Sequence, residues 1–168
     1  MEAAGGSPAR VTETALVITI STRAAAGVYA DTSGLIILDG LRDLGFEVTE
    51  PLVVPDGDQV GAALRSAVAA EHAVVITTGG TGLHPNDHTP EQTRSVIERD
   101  IPQLAAEIAR YGVDHGVPTA ALSRGVAGTA GKTLIINLAG SAGAARDGMA
   151  VLGPMLRHAV SQLHGGDH

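Results

Sequence analysis

Short runs of β-branched apolar residues alternate with stretches of helical periodicity along most of the chain. Strands are predicted at residues 15–20, 73–77 and 133–138, because continuous apolar runs of this length are typical of strands buried on both faces of a sheet. Between them, apolar residues recur at helical spacing, as at Ile37 and Leu41. Alternating strands and helices favour a mostly parallel sheet covered on both faces, so the predicted fold class is an α/β three-layer αβα sandwich.

Turn-forming residues predict the remaining elements. A strand over residues 46–54 contains Pro51, which indicates an edge position or a bend. Thr89 is predicted as a helix N-cap, with proline at the first helical position. Residues 119–122 are predicted as a further strand, and Pro154 is expected to kink the closing helix.

Composition narrows the range of partners. The chain has 168 residues, a net charge of -7 and only 2% aromatic residues. This disfavours a nucleic-acid surface, which needs clustered Lys and Arg and aromatic platforms.

The chain has no cysteine, which excludes thiolate catalysis and is compatible with the cytosol. No apolar run reaches the ~18–20 residues that span a bilayer. We expect a cytoplasmic protein without membrane contact, with residues 1–10 as a disordered lead-in and residues 11–168 as one domain.

A glycine-rich loop follows the strand at residues 73–77. It consists of Thr78, Gly79, Gly80, Thr81 and Gly82. Glycines allow a sharp turn that directs several backbone N–H groups toward one point, which suits a phosphate. The loop lacks both the lysine of a P-loop and the Gly-x-Gly-x-x-Gly spacing. A tight turn without a ligand therefore stays open as the alternative.

Two aspartates, Asp56 and Asp87, lie in predicted loops near strand ends. A carboxylate beside a phosphate is repulsive unless a cation lies between them, and Mg²⁺ binds one or two carboxylates together with substrate phosphates. We therefore predict that Asp56 and Asp87 are catalytic residues that hold Mg²⁺. Helix capping or a role in a turn is the alternative for each of them.

Two further loops at strand ends offer polar groups. Their candidate binding residues are Ser123, Arg124, Gly125, Asn137, Gly140 and Ser141. The Arg124 guanidinium suits bidentate phosphate contacts, and a helix that begins after Ser141 suits an anion or a polar ring. The alternatives are a surface arginine and an ordinary N-cap. In open α/β sheets ligands bind at the carboxyl ends of strands. We expect the loops around residues 21, 56, 79–82, 123 and 140 to converge on one crevice.

In this order, the motifs resemble those of the molybdenum-cofactor biosynthesis domain. The resemblance rests on residues 77–82, Asp87, 89–91, 123–128, 133–138, and Ser21, Gly27 and Asp31 in the first loop. It extends from about residue 11 to the C-terminus. The resemblance implies a homotrimer, places the two acidic positions of the family at Asp56 and Asp87, and adds Ser21 and Asp31 to the binding residues.

The activity implied by the resemblance is Mg²⁺-dependent transfer of an adenylyl group from ATP to molybdopterin, with release of pyrophosphate. The chain departs from the family at Ala139 and Ala142, where prolines are usual. Proline stiffens a loop, so we expect their loss to affect substrate affinity more than chemistry. The alternatives are a non-catalytic paralogue that binds molybdopterin or its precursor, a nucleotide-pyrophosphate hydrolase of the competence-damage-inducible kind, and a structural trimer.

Overall fold

The computed structural model describes residues 12–27 and 30–166, so the lead-in expected at residues 1–10 lies outside the described residues. The strands are β1 (Thr14–Ile20), β2 (Glu47–Val48), β3 (Leu52–Val54), β4 (Val74–Thr78), β5 (Arg99–Asp100), β6 (Ala127–Ala130) and β7 (Thr133–Leu138). The α-helices are α1 (Thr22–Ala25), α2 (Thr32–Asp43), α3 (Asp58–Ala69), α4 (Thr89–Arg94), α5 (Pro102–Asp114), α6 (Ala142–Leu152) and α7 (Leu156–Leu163). A 3₁₀ helix spans Pro118–Leu122.

These strands form one mixed sheet with the order β2-β1-β4-β7-β6-β5, and β3 also pairs with β1. The three central strands are parallel, with Ile76 of β4 level with Val17 of β1 and with Ile136 of β7. At the far edge, β6 runs antiparallel to β7 and β5 antiparallel to β6. The predicted mostly parallel sheet is confirmed, and the carboxyl ends of its central strands meet at one edge.

Successive residues of the central strands enter two different hydrophobic clusters, because side chains alternate across a sheet. Val74 and Ile76 of β4 pack with the cluster that contains residues of α2, α6 and α7. Val75 packs with the cluster that contains residues of α3. Both faces of β4 are thus covered by helices, as the three-layer prediction requires. Within the described residues, no helix combines the length and the apolar character needed to cross a membrane.

Two strand predictions need correction. Residues 119–122 are not a strand but part of the 3₁₀ helix that begins at Pro118. The strand that pairs with β7 lies later, in β6, whose small residues have low intrinsic β propensity, so pairing decides its conformation. The strand predicted over 46–54 is divided into β2 and β3. The break includes Pro51, which confirms the predicted bend.

Two helix predictions also need correction. Thr89 is the first residue of α4 rather than its N-cap, which is His88. The Thr89 hydroxyl donates instead to the carbonyl of Gly79 at 3.0 Å. The closing helix is interrupted rather than only kinked, since α6 ends at Leu152 and α7 begins at Leu156. Pro154 lies in the gap, where its ring and missing N–H prevent a continuous helix.

Candidate active site

A cavity of about 420 Å³ opens at the carboxyl ends of β4 and β7. Its polar end is lined by residues of three loops that the sequence predicted to converge, namely Gly80, Thr81, Gly82, Asp87, Ser123, Gly125, Asn137, Gly140 and Ser141. Its other end lies between α5 and α6 and is apolar apart from a few groups. A cavity of this size and mixed lining is typical of a site for a small organic ligand.

The glycine-rich loop passes close to the end of β1. Gly79 and Gly80 have φ angles of 104° and 70°, in the left-handed region that favours glycine. A β-carbon on Gly79 would collide with the carbonyl oxygen of Ile20. The N–H groups of Gly80, Thr81 and Gly82 donate to no protein acceptor within residues 12–27 and 30–166. The loop therefore presents free donors at the edge of the cavity, as an anion site requires.

The two predicted catalytic carboxylates each lie over one glycine of this loop. A β-carbon on Gly80 would be 2.5 Å from Oδ2 of Asp56, and one on Gly82 would be 2.8 Å from Oδ2 of Asp87. Asp56 Oδ1 accepts the N–H of His88 at 3.0 Å. Since His88 follows Asp87 directly, this bond ties the loop after β3 to the segment that carries Asp87.

Asp56 and Asp87 differ in whether they fill the capping or turn role considered as the alternative for each of them. Asp56 does not cap α3, whose N-cap is Gly57 without a side-chain hydrogen bond. Asp87 does take part in a turn, because its Oδ2 accepts the N–H of His84 at 3.2 Å and its own N–H donates to the His84 carbonyl at 2.9 Å. One oxygen of each carboxylate is held by a backbone donor, and each second oxygen accepts no hydrogen bond from the described residues.

This donor set fits Mg²⁺. In the described part of the chain, no group of three or more His, Cys, Asp or Glu side chains could enclose a metal ion. One or two carboxylates are the protein ligands that Mg²⁺ uses when waters and substrate phosphates complete its coordination, and the free N–H groups beside them suit those phosphates. The residues that would hold it are Asp56 and Asp87.

Arg124 lies against the glycine-rich loop with all of its nitrogens engaged. Its Nε donates to the carbonyl of Gly82 at 2.9 Å and its Nη2 to the carbonyl of Asp87 at 2.8 Å. Its Nη1 pairs with Glu91, and its backbone N–H donates to the carbonyl of Thr81 at 2.8 Å. Arg124 thus acts as a brace for residues 81–87, because its hydrogen bonds hold the carbonyl groups of residues 81, 82 and 87 in place. The phosphate contact predicted for it would require the pair with Glu91 to open.

The Arg124 pair changes the acidity of Glu91. The hydrogen bond from Arg124 is the main cause that lowers the pKa of the Glu91 carboxyl below its ordinary value, and the charge of Arg124 acts in the same direction. Glu91 therefore stays ionised next to the loop, and it neutralises the Arg124 guanidinium, which contacts the segment that carries Asp87.

Asn137 lines the cavity, but its side chain is fully used within the fold. Its Oδ1 accepts the N–H of Val126 at 3.1 Å. Its Nδ2 donates to the hydroxyls of Thr77 at 2.9 Å and Thr93 at 3.0 Å. The amide joins β4, β7 and α4 behind the cavity.

Ser123 and Gly125 form the adjacent wall of the cavity. The Ser123 hydroxyl is 3.4 Å from that of Thr81 and accepts the N–H of Gly125 at 3.3 Å. These weak bonds leave the hydroxyl able to turn toward a ligand. A role for Ser123 and Gly125 in binding stays a prediction.

Gly140 and Ser141 join β7 to α6 at the cavity. A β-carbon on Gly140 would be 3.2 Å from the Cα of Gly79, so the two glycine loops are in contact. The Ser141 hydroxyl accepts the N–H of Ala144 at 3.0 Å, which confirms the ordinary N-cap considered for it. Its position on the cavity wall leaves binding open as a second role.

The lining of the cavity does not include five of the predicted binding residues, Ser21, Asp31, Thr78, Gly79 and Arg124, or the predicted catalytic residue Asp56. Ser21 caps α1 by accepting the N–H of Ala24 at 3.1 Å. Asp31 caps α2, and its two oxygens bond Thr19 at 2.8 Å and Gly34 at 2.9 Å. The buried hydroxyl of Thr78 lies 3.1 Å from the carbonyl of Ala139. Ser21, Asp31 and Thr78 thus support the loops, and direct ligand contacts by them stay a prediction.

The residues at the other end of the cavity were not predicted from the sequence. They are Ala105, Ile108, Ala109 and Gly112 of α5, Val117, Thr119, Ala120 and Leu122 around the 3₁₀ helix, and Gly143, Ala144 and Asp147 of α6. On α5 the sequence carried a signal, because the small residues Ala105, Ala109 and Gly112 recur at i, i+4 and i+7, which places them on one face of the helix. Asp147 is the charged residue among the residues at this end of the cavity.

Comparisons with known proteins agree with this architecture. The family model described as a probable molybdopterin binding domain matches residues 16–158. The structure of the molybdopterin biosynthesis Mog protein from Mycobacterium ulcerans is 50% identical, with a TM-score of 0.86 over 90% of this chain and 99% of that one.

Two curated relatives differ in how much of their length is matched. The molybdopterin adenylyltransferase of Helicobacter pylori (strain J99) is 34% identical over 153 residues, which are 89% of this chain and 86% of that protein. The molybdenum cofactor biosynthesis bifunctional protein of Chlorobaculum tepidum is 33% identical over 90% of this chain. The chain spans only 49% of the length of that bifunctional relative.

Proposed function

The chain belongs to the molybdenum-cofactor biosynthesis domain family, and we propose that it is a molybdopterin adenylyltransferase that uses MgATP. The observation that carries the proposal is the placement of Asp56 and Asp87 over Gly80 and Gly82, beside backbone donors that have no partner among the described residues. Two acidic groups and free N–H donors at one cavity edge suit a magnesium-bound polyphosphate. The relation to a protein named molybdopterin adenylyltransferase supports molybdopterin as the acceptor of an adenylyl group.

In the proposed reaction, an oxygen of the molybdopterin phosphate attacks the α-phosphorus of ATP. The new P–O bond forms as the bond to the β-phosphate oxygen breaks, and pyrophosphate leaves with the electron pair. Bound Mg²⁺ would neutralise charge on the triphosphate. The protein's part is to position the reactants and to stabilise charge, which are the dominant contributions in such transfers.

Each residue of the loop has a defined task in this scheme. The N–H groups of residues 80–82 hold phosphate oxygens. Asp56 and Asp87 would hold Mg²⁺, and in each of them the backbone leaves one carboxylate oxygen without a hydrogen bond among the described residues. Arg124 keeps the carbonyls of Gly82 and Asp87 in place, so that the carboxylates are aligned before the substrates bind.

Pyrophosphate release in the presence of molybdopterin, ATP and Mg²⁺ tests the proposal. Asp56→Asn and Asp87→Asn should each lower the rate by roughly 10²–10³-fold, the loss typical for one preorganised electrostatic group. Asp58→Asn is the matched control, because Asp58 is an exposed carboxylate two residues after Asp56. Full activity of either Asp56→Asn or Asp87→Asn would contradict the proposed metal site.

A second candidate is a paralogue that binds molybdopterin without adenylylating it. It is motivated by Ala139 and Ala142, which replace prolines that are usual in the family. Ala139 lies on the loop that borders the cavity, and Ala142 lies where this loop joins α6. Binding of molybdopterin by the wild-type protein without release of pyrophosphate from ATP would favour it.

We also propose a homotrimer, for which light scattering should give three times the chain mass of 16.9 kDa.

A further inference from the structure

The inner end of the cavity is a slot between two helix faces made largely of small residues. On α5 the slot is lined by Ala105, Ile108, Ala109 and Gly112, and on α6 by Gly143, Ala144 and Asp147. Positions i, i+3 or i+4, and i+7 lie on one face of a helix. Small side chains on both faces leave a gap suited to a flat ring.

Asp147 places a carboxylate at this apolar end. Its Oδ2 is 4.0 Å from the position of a β-carbon on Gly112, so the carboxylate lies across the slot from α5. Asp147 is partly buried. It takes part in no hydrogen bond or ion pair with the described residues. A partly buried charge without a protein partner costs free energy, which a ligand that donates hydrogen bonds would offset.

Along the α6 wall of the cavity, Gly143 and Ala144 therefore separate Ser141 of the preceding loop from the carboxylate of Asp147. Ser141 precedes α6 at the phosphate end, and Asp147 is six residues further on, a rise of roughly 9 Å along a helix. Molybdopterin has the same polarity, because its phosphate lies at one end and its aminopyrimidinone edge at the other. The fused rings between them match the slot of small residues.

We propose that Asp147 is the specificity-determining residue for the pterin ring. This assignment rests on the proposed function and deepens it. The pterin edge carries two adjacent donors, the 2-amino group and N3–H, which a carboxylate accepts as a bidentate pair. Adenine presents its 6-amino donor beside the N1 acceptor, which a carboxylate repels. Asp147 thus favours the pterin over the adenine of ATP in this slot.

The test compares Asp147→Asn with Asp114→Asn. Asparagine preserves the shape of the side chain but replaces one acceptor with a donor. Asp114 is an exposed carboxylate at the end of α5, outside the cavity lining. Binding is measured without ATP, by the fluorescence of a 6-substituted pterin phosphate, and a second ligand lacks the 2-amino group. Thermal melting of each variant confirms that the fold is kept.

Asp147→Asn should weaken binding of the pterin phosphate by about ten- to a hundredfold, as expected for a lost charge-assisted contact. Asp114→Asn should bind like the wild type. Removal of the 2-amino group should weaken binding to the wild-type protein but not to Asp147→Asn, a dependence that a merely structural role of Asp147 would not produce. In turnover, the KM for ATP should stay within twofold for Asp147→Asn.

The outcomes separate this assignment from the proposed adenylylation. Equal pterin affinity of wild type and Asp147→Asn overturns the role of Asp147, whether or not pyrophosphate is released. Pterin binding that depends on Asp147, in a protein that releases no pyrophosphate, supports the assignment and overturns only the adenylyl transfer. A wild-type protein that does not discriminate between the two ligands overturns the assignment as well.

Discussion

Asp56 and Gly80 are in such close contact that a β-carbon on the glycine would lie 2.5 Å from Oδ2 of the aspartate. The other carboxylate oxygen of Asp56, Oδ1, accepts the N–H of His88, and this hydrogen bond holds the side chain in position. Any side chain at residue 80 would therefore displace the carboxylate. The same β-carbon would also collide with the Thr89 hydroxyl, which donates to the carbonyl of Gly79.

We expect Gly80→Ala to lower the rate of pyrophosphate release by at least about a hundredfold, because Asp56 would move away from the phosphate loop. The φ angle of Gly80 is 70°, so the substitution should also cost about 1–2 kcal/mol in backbone strain. Activity at saturating Mg²⁺ and urea denaturation measure the two effects separately.

Gly131→Ala is the matched control for this substitution. Gly131 has a φ angle of 56°, and a β-carbon there would have no heavy atom within 4 Å. It should lose stability of the same order but keep its activity. Equal losses of activity in both variants would show that strain, rather than displacement of Asp56, causes the effect.

The central strands could be predicted from sequence because each is a continuous buried run. β4 and β7 are buried at every position, and their short runs rich in Val and Ile favour strands over helices. β6 was missed because Ala127–Ala130 has no strong strand former apart from Thr129. Pairing with β7 imposes the extended conformation of β6. The amino-acid pattern of β6 alone does not specify this pairing.

The candidate site could be predicted where loops follow strands, and not where helices supply the wall. Asp87 and the glycine loop lie near strand ends in the sequence, so the topology rule brought them together. Asp147 lies in the middle of a helix, where a carboxylate is usually solvated. Only the packing of α5 beside α6 turns its face toward the cavity. Arg124 was assigned to phosphate because sequence does not show that its nitrogens meet the carbonyls of Gly82 and Asp87.

Removal of the Arg124 brace should loosen the Asp87 segment without removing any carboxylate. We expect Arg124→Lys to need a higher Mg²⁺ concentration for half-maximal activity, by about tenfold, because lysine keeps the charge but cannot span three acceptors. Amide hydrogen exchange of residues 82–88 should become faster in the same variant. Arg110→Lys, at an exposed arginine paired with Glu107, is the control. An unchanged Mg²⁺ requirement of Arg124→Lys would argue against the positioning role.

The Arg124–Glu91 pair should contribute to stability in a pH-dependent way. The pKa of Glu91 is lowered mainly by the hydrogen bond from Arg124. The ionised Glu91 carboxylate therefore stabilises the folded protein above its unfolded-state pKa of about 4.3. This stabilisation is lost as the pH falls through the lower pKa that Glu91 has in the folded protein. The effect should be small, because the Glu91 side chain is 55% exposed and screened by solvent.

Urea denaturation of wild type and Glu91→Gln at a series of pH values checks this sign. The difference in unfolding free energy should be constant between pH 6 and 8 and should shrink as the pH falls below about 4.3. When Arg124 is replaced by alanine, the effect of Glu91→Gln on the unfolding free energy should lose most of its pH dependence. A difference that grows on acidification would contradict the assigned cause.

Proline at residue 142 should stabilise the protein. Ala142 is the first residue of α6, where proline is favoured because its missing N–H is not needed there. The preceding Ser141 has φ and ψ of -90° and 156°, an extended conformation that proline requires of its predecessor. Ala142→Pro should therefore raise the unfolding free energy by about 0.4–1 kcal/mol, chiefly by restricting the unfolded chain.

Ala150→Pro is the contrasting variant, because Ala150 is an exposed residue further along the same helix. Proline there removes a helical hydrogen bond and meets the carbonyl of Arg146, so it should cost about 3 kcal/mol. Thermal and urea denaturation of both variants provide the comparison. If Ala142→Pro also raises affinity for molybdopterin, the stiffness of the loop between β7 and α6 limits binding. If it raises stability alone, the alanine at residue 142 affects the stability of the fold and not the pterin site.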